Sequence, residues 1–168
     1  MKRPPFDAFP ELVSETVLLR ELTRDDSEQL IEIFTYDGKA AESAEDVVRM
    51  LSKIDSNYRN GSSVNWGIVE RAGGKIAGIC GYYRGFEQET GEIGFVLREG
   101  FRRKGFMSAA LKLAVAFGKQ KLGLKRVIAI TKSWNQEAIM VLENNQFRQT
   151  AELPDNYIEL EYTGSSHG

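Results

Sequence analysis

Three cations and a glycine, Arg102, Arg103, Lys104 and Gly105, stand directly before a stretch in which apolar residues recur at helical spacing. This pattern predicts a helix that begins near Gly105. The first turn of a helix carries unpaired backbone N–H groups and the positive end of the helix dipole, so it favours an anion. A glycine there allows the backbone to approach a phosphate closely. The chemistry that these residues could perform is therefore the binding of a pyrophosphate.

Two other uses of the same cations compete with this interpretation. They could form a solvated turn without a ligand, or part of a nucleic-acid surface that also includes Lys119, Lys121, Lys125 and Arg126. A formal net charge of −2 over 168 residues, without an aromatic-rich strand motif, argues against nucleic acid as a partner. The stretch also lacks the glycine patterns of P-loops and dinucleotide folds. The segment AGGKIAG lies between two strand-like runs, where a hairpin turn is expected.

Few residues could support metal or nucleophilic chemistry. The single histidine, His167, lies in residues 164–168, which we expect to be a disordered tail. With one histidine and one cysteine, we expect no metal site and no Cys-His or Ser-His nucleophile. Cys80 cannot form an internal disulfide, so a cytoplasmic location is expected. No apolar run approaches the roughly 20 residues of a membrane span, and the length predicts one domain over residues 1–168.

The elements that must position the loop follow from the hydrophobic periodicity. Alternating or continuous apolar runs predict strands at residues 16–22, 64–71, 76–83, 91–97, 125–131, 148–152 and 157–162. Helical spacing predicts helices at residues 23–34, 43–58, 105–122 and 135–145. Helices interleaved with a mixed sheet place the chain in the α/β or α+β class.

Three segments, in the right order, resemble the GNAT superfamily of N-acyltransferases. The segment GEIGFVLREGFRRKGFMSAAL, residues 91–111, resembles its acyl-coenzyme A binding motif, in which Arg102 and Gly105 match. The segment NQEAIMVLENNQF, residues 135–147, is similar to the helix that follows, and TVLLRELTRDD, residues 16–26, to the first strand of the ribosomal-protein N-terminal acetyltransferase branch. The resemblance implies a GNAT-like mixed, largely antiparallel seven-stranded sheet flanked by about four helices. It also implies that the parallel strands four and five splay apart.

The resemblance further implies where acetyl-CoA, the expected cosubstrate, would lie. Its pantetheine arm would pair with one parallel strand, its pyrophosphate would contact the N–H groups of the loop, and the helix that follows would contact the arm from the other side. A backbone N–H near Val96 would polarise the thioester carbonyl. The cofactor-binding residues expected on this basis are Val96, Leu97, Arg102, Arg103, Lys104, Gly105, Phe106, Met107, Ser108 and Asn135.

The chain also departs from the family pattern at several positions. Leu142 and Ala138 stand where family members carry a Tyr or a Ser as general acid. Met107 replaces a small residue of the motif, Arg103 occupies a position that is often Gly, and Gln146 replaces the usual Gly of a turn.

Glu92 is the candidate general base, because in an extended strand it shares a face with Gly94 and Val96. Its alternative role is that of a salt-bridged or solvent-facing strand residue. Trp66, Tyr82 and Tyr83 could line an acceptor cleft, but aromatic residues on strands are usually core, so they are not assigned to the site.

The predicted activity is an N-acetyltransferase that moves an acetyl group from acetyl-CoA to a primary amine by direct attack. An α-amine of a protein N-terminus or of a small molecule is favoured, because its pKa of about 7.7–8.0 leaves more neutral amine at physiological pH than that of lysine, about 10.4. The alternative is a non-catalytic acyl-CoA-binding or sensing module. A homodimer is the default assembly, and the sequence does not identify the acceptor.

Overall fold

The computed structural model describes residues 1–164 and contains ten strands and four α-helices in that range. The strands are β1 (Leu12–Val13), β2 (Val17–Arg20), β3 (Thr35–Tyr36), β4 (Lys39–Ala40), β5 (Val64–Glu70), β6 (Ile76–Tyr82), β7 (Thr90–Leu97), β8 (Arg126–Lys132), β9 (Phe147–Leu153) and β10 (Tyr157–Tyr162). The helices are α1 (Ser27–Leu30), α2 (Ala44–Arg59), α3 (Phe106–Phe117) and α4 (Gln136–Asn144). The expectations for His167 and for residues 165–168 of the tail lie outside the described residues.

Eight of the strands form one twisted sheet in the order β1-β2-β5-β6-β7-β8-β10-β9. Its strand pairs are antiparallel except for β7 and β8, which are parallel. These two strands pair only where Thr90–Glu92 meets Arg126–Ile128. The remainder of β7, from Ile93 onward, pairs with β6 alone. The parallel strands therefore splay apart at the centre of the sheet, as the resemblance implied.

Side chains of the central strands alternate between two helix-covered faces. On one face, Trp66 packs edge-on against Phe117 of α3, with ring centroids 5.3 Å apart. On the same face, the Tyr82 hydroxyl donates to the Ala114 carbonyl of α3 at 2.8 Å. On the other face, α1 and α2 enclose a smaller core that contains Leu30. The two faces of the sheet are therefore covered by different helices, with α3 on one face and α1 and α2 on the other.

The turn between β2 and α1 is organised by a buried carboxylate. Asp26 is 4% exposed and accepts two hydrogen bonds from the Arg20 guanidinium, at 2.8 and 2.9 Å. It also accepts a hydrogen bond from the Thr23 backbone N–H at 2.8 Å, which forms part of a capping box. These bonds satisfy the buried charge. The chain therefore turns sharply from β2 into α1.

The sequence predictions differ from the structure in three places. The sheet has eight strands rather than seven, because the two-residue β1 pairs with β2 at one edge. The helix predicted for residues 23–34 is a short 3₁₀ turn followed by the four residues of α1. The hairpin of β3 and β4 was not predicted. Within residues 1–164, no helix is long and apolar enough to cross a membrane.

Candidate active site

The segment between β7 and α3 presents a run of unpaired backbone N–H groups. Among the described residues, the N–H groups between Arg102 and Ala109 have no backbone carbonyl partner, and Ala109 donates to the Gly105 carbonyl at 3.2 Å. Gly105 has a φ of +82°, and nothing lies within 4 Å of the point where a Cβ would stand. Arg103, at φ +63°, is exposed. The segment therefore has the geometry of an anion site at a helix start.

A groove of about 490 Å³ runs from the splayed end of β7 to the first turn of α3, with α4 along its other side. We call it the strand groove. It is lined by Phe95, Val96, Leu97, Arg102, Arg103, Gly105, Met107, Ser108, Asn135, Glu137, Ala138, Met140, Val141 and Asn144. An unpaired strand edge therefore leads directly to the unpaired N–H groups of the loop.

Most residues predicted to bind the cofactor come together on this groove. They are Val96, Leu97, Arg102, Arg103, Gly105, Met107, Ser108 and Asn135. Lys104 and Phe106 lie in the loop but not on the groove wall. Lys104 is exposed, and the Phe106 ring packs against Phe101 with centroids 6.4 Å apart. Phe106 could therefore contribute only its backbone N–H group to an anion site, whereas the exposed Lys104 could contribute its charge as well.

Two asparagines organise the groove from the α4 side. Asn135 caps α4, because its Oδ1 accepts the Ala138 N–H at 3.2 Å. Asn145 is buried, and its Nδ2 donates to Ser108 Oγ at 3.1 Å and to the Val141 carbonyl at 2.7 Å. The Oδ1 of Asn145 has no hydrogen-bond partner among the described residues. Asn145 therefore ties α4 to the first turn of α3.

A second cavity of about 500 Å³ approaches the same strand from the α2 side. We call it the hairpin cavity, because residues 35–38 of the β3–β4 hairpin form its outer wall. Its floor contains Gly81 and Gly94, which face each other across β6 and β7. The hairpin cavity and the strand groove share Phe95 and Val96 in their walls. Two separate cavities therefore meet near the carboxyl end of β7.

Polar groups on the wall of the hairpin cavity come from several elements. The Tyr36 hydroxyl accepts a hydrogen bond from Asn57 Nδ2 at 3.1 Å. Ser63 is 2% exposed, and its Oγ has no hydrogen-bond partner among the described residues. Asp37 and Arg84 are the charged residues of the described lining. The cavity therefore offers neutral hydrogen-bonding groups and one charge of each sign.

Glu92, the candidate base, is 8% exposed and lies outside the described lining of both cavities. Its Oε2 accepts a hydrogen bond from the Tyr83 hydroxyl and lies 3.2 Å from Arg84 Nε. Glu92 is thus salt-bridged, which was its alternative role. Tyr83 itself is on the wall of the hairpin cavity. Burial, and then the hydrogen bond to Glu92, raise the pKa of Tyr83 to about 12.

The other residues weighed for chemistry fall into the core or into unreactive positions. Trp66, Tyr82 and Leu142 are fully or almost fully buried, and Ala138 lies on the wall of the strand groove. Burial raises the pKa of the Cys80 thiol to about 12, so it carries little thiolate at neutral pH.

Sequence reasoning missed Asn145 and the hairpin wall, and it left Tyr83 out of the site. For the hairpin a signal was present, because Asp37-Gly38 in YDGK is a two-residue turn pair of the kind that hairpins favour. For Asn145 no local signal exists, because its bond to Ser108 joins two helices.

Comparison with known proteins identifies the class that this fold and site define. Residues 16–148 match the family model described as an acetyltransferase (GNAT) domain. The chain therefore belongs to the GNAT family, and it is an acyl-CoA-dependent N-acetyltransferase. This finding confirms the resemblance and favours an enzyme over the non-catalytic module.

Individual relatives agree with this class. The uncharacterised N-acetyltransferase YoaA of Bacillus subtilis is 26% identical over 153 residues, which are 86% of each chain. The ribosomal-protein-S5-alanine acetyltransferase of Vibrio fischeri superposes with a TM-score of 0.71 at 17% identity, over 90% of this chain and 95% of that one. A mutant of the spermidine N-acetyltransferase SpeG of Vibrio cholerae superposes with a TM-score of 0.73 at 13% identity, over 88% of this chain and 94% of that one. These two structural matches support the fold.

Proposed function

We propose that this protein transfers an acetyl group from acetyl-CoA to the α-amine of a protein N-terminus or of a small molecule. The observation that supports the proposal best is that two cavities meet at Phe95 and Val96. In this arrangement acetyl-CoA occupies the strand groove, with its pantetheine arm along Val96 and Leu97. Its pyrophosphate accepts hydrogen bonds from the backbone N–H groups of the loop before α3. The thioester then faces the hairpin cavity, where the amine binds.

The lining of the hairpin cavity favours an α-amine over a polyamine. A polyamine carries several positive charges and needs several carboxylates. Asp37 is the one acidic residue of the described lining, and the Arg84 guanidinium adds a positive charge. The side-chain amide of Asn65, which also lines the cavity, could instead bond a neutral polar group such as a peptide carbonyl. The V. fischeri structural relative is named for an alanine of a ribosomal protein, whereas the V. cholerae relative is named for spermidine.

Steady-state release of free CoA tests this proposal. We expect turnover of acetyl-CoA with short peptides that have a free N-terminus and little turnover with spermidine or with peptides whose only amine is a lysine side chain. N-terminally blocked peptides of the same sequence are the matched control. Faster turnover of spermidine than of every free N-terminal peptide would overturn the acceptor class while leaving the donor in place. The cytoplasmic location remains an expectation from the sequence.

The bond between Asn145 and Ser108 supports a specific prediction about cofactor affinity. Because Asn145 Nδ2 donates to Ser108 Oγ, the Ser108 hydroxyl hydrogen is left to donate to a phosphate oxygen. Loss of one such hydrogen bond costs about 0.5–1.5 kcal/mol. We therefore expect Asn145→Ala to raise the KM for acetyl-CoA roughly 2- to 13-fold.

Two controls isolate this effect. Acetyl-pantetheine lacks the pyrophosphate, so its KM should not change in Asn145→Ala. In a Ser108→Ala background, Asn145→Ala should add little, since both variants remove one interaction. Glu143→Ala alters an exposed residue of the same helix and should leave the KM unchanged. An equal rise of KM for acetyl-pantetheine would show that Asn145 acts on the whole groove rather than through Ser108.

A further inference from the structure

The acceptor amine must lose a proton before it reacts, and the predicted base, Glu92, does not line the cavity in which the amine would bind. An α-amine with a pKa of about 8 is mostly protonated at pH 7, and it must lose a proton before it can attack the thioester. Glu92, the predicted base, lies outside the lining of the hairpin cavity, whose one described carboxylate is that of Asp37 on the β3–β4 hairpin. The Glu92 carboxylate is reached from the cavity through Tyr83 and Arg84, the residues that contact it.

Tyr83 is held in a fixed position between Glu92 and the hairpin cavity. Its ring covers Gly94, where an added Cβ would come within 2.5 Å of the ring edge. Its hydroxyl donates to Glu92 Oε2. The residue remains 40% exposed and contributes to the cavity wall. The Tyr83 side chain therefore lies between the cavity, which the residue lines, and the carboxylate that its hydroxyl contacts.

Building on the proposed function, we infer that Tyr83 is a catalytic residue that relays the proton of the acceptor ammonium to Glu92. The Tyr83 oxygen accepts one proton from the ammonium while its own hydroxyl proton passes to the Glu92 carboxylate, so Tyr83 stays neutral. The neutral amine then attacks the thioester carbonyl carbon, and the carbon–sulfur bond breaks. The second amine proton leaves with the thiolate as CoA thiol, and Glu92 returns its proton to solvent.

The charges around Tyr83 suit a relay rather than a phenolate base. Burial and the neighbouring Glu92 carboxylate raise the pKa of Tyr83, which keeps the phenol protonated at neutral pH. The guanidinium of Arg84 lies over the ring, 5.4 Å from its centroid, and near the same carboxylate oxygen. Asp37 faces the cavity from the hairpin.

The pH profile of kcat/KM for an N-terminal peptide tests the relay, with Tyr83→Phe as the variant. Phenylalanine keeps the ring over Gly94 and removes only the hydroxyl. The variant must bind amine that is already neutral in solution, so its kcat/KM should fall tenfold for each pH unit below the amine pKa. We expect a deficit relative to wild type of about tenfold at pH 7 and about 100-fold at pH 6 that vanishes by pH 9. Tyr157→Phe is the matched control and should follow wild type.

Two further measurements separate the relay from the proposed function. Glu92→Gln should resemble Tyr83→Phe, and the double variant should be no worse than either, because the pair acts as a unit. An active wild type whose Tyr83→Phe variant shows the same activity, or a deficit equal at every pH, overturns the relay alone. A wild type that releases no CoA with any amine, and whose melting temperature acetyl-CoA does not raise, overturns the proposed function and the relay with it.

Discussion

Substitution of Gly105 by Glu should abolish the rise in melting temperature that acetyl-CoA gives the wild-type protein. At 100 times its Kd, a ligand adds about 2.7 kcal/mol to stability, which raises the melting temperature of a chain this size by roughly 5–10 °C. Glutamate would place a carboxylate against the unpaired N–H groups of the loop, where a pyrophosphate is expected. It would also have to adopt the φ of +82° that glycine tolerates best. We expect at least a 100-fold loss of affinity.

Two control variants separate the effects of charge, backbone conformation and general stability on the thermal shift. Gly100→Glu adds the same charge in the turn before the loop, at a glycine with open space around it, and should keep the thermal shift. Gly105→Asn introduces an uncharged residue that tolerates a positive φ, so this variant should keep most of the thermal shift. A full thermal shift in Gly105→Glu, measured by differential scanning fluorimetry, would move the cofactor away from this loop.

Substitution of Asp26 by Asn should lower the stability of the fold substantially. The change leaves the Arg20 guanidinium without its buried counter-charge. Removal of one partner of a fully buried ion pair costs about 3–5 kcal/mol. Because the Arg20 side chain is 28% exposed, we expect about 2–3 kcal/mol, less than for a fully buried pair, and a fall of roughly 4–12 °C in melting temperature. Asp25→Asn, at the exposed neighbouring position, should change little.

The same carboxylate gives this prediction a pH signature. Burial acts to raise the pKa of Asp26, but the hydrogen bonds from Arg20 and Thr23 outweigh it and hold the pKa below its ordinary value. A lowered pKa stabilises the fold above the unfolded value of about 3.9, and this contribution is lost as the pH falls through the folded value. The stability gap between wild type and Asp26→Asn should therefore narrow below about pH 4. A gap that stays constant down to pH 2 would contradict the ion-pair explanation.

The sequence predicted the strand groove better than the hairpin cavity, for a physical reason. One side of the groove is formed by a strand, a loop and a helix start that are adjacent in the chain, so Gly105 and its cations already indicated an anion site. The family resemblance extended the predicted site to Asn135 before α4. The hairpin cavity assembles groups from α2, β5, β6 and the β3–β4 turn. Their meeting depends on how α2 packs on the sheet, which no local pattern specifies.

The two neighbouring tyrosines show where strand periodicity stops being informative. Successive residues point to opposite faces, so Tyr82 and Tyr83 had to lie on different sides of the sheet. Which of them faced the core depended on where α3 packed. In the structure the Tyr82 hydroxyl bonds to α3, and Tyr83 faces the cavity. To predict the hydrogen bond between Tyr83 and Glu92, one would also have needed to know the register of β6 against β7.

Gln146 shows that a departure from a family pattern need not disrupt a turn. It replaces the glycine usually found there, yet it adopts a φ of +70°, and its N–H donates to the Glu143 carbonyl at 3.2 Å. The turn thus forms with a residue that tolerates this conformation less well than glycine.

The meeting of two cavities at Phe95 and Val96 has a consequence for the order of events in a catalytic cycle. The strand groove opens beside α3 and α4, whereas the hairpin cavity opens beside α2 and the β3–β4 hairpin. With acetyl-CoA and the amine placed as we propose, neither substrate has to pass through the site of the other, so we expect that either can arrive first and either product can leave first. The hairpin wall can also change in evolution without disturbing the donor side, which allows one scaffold to acquire new acceptors.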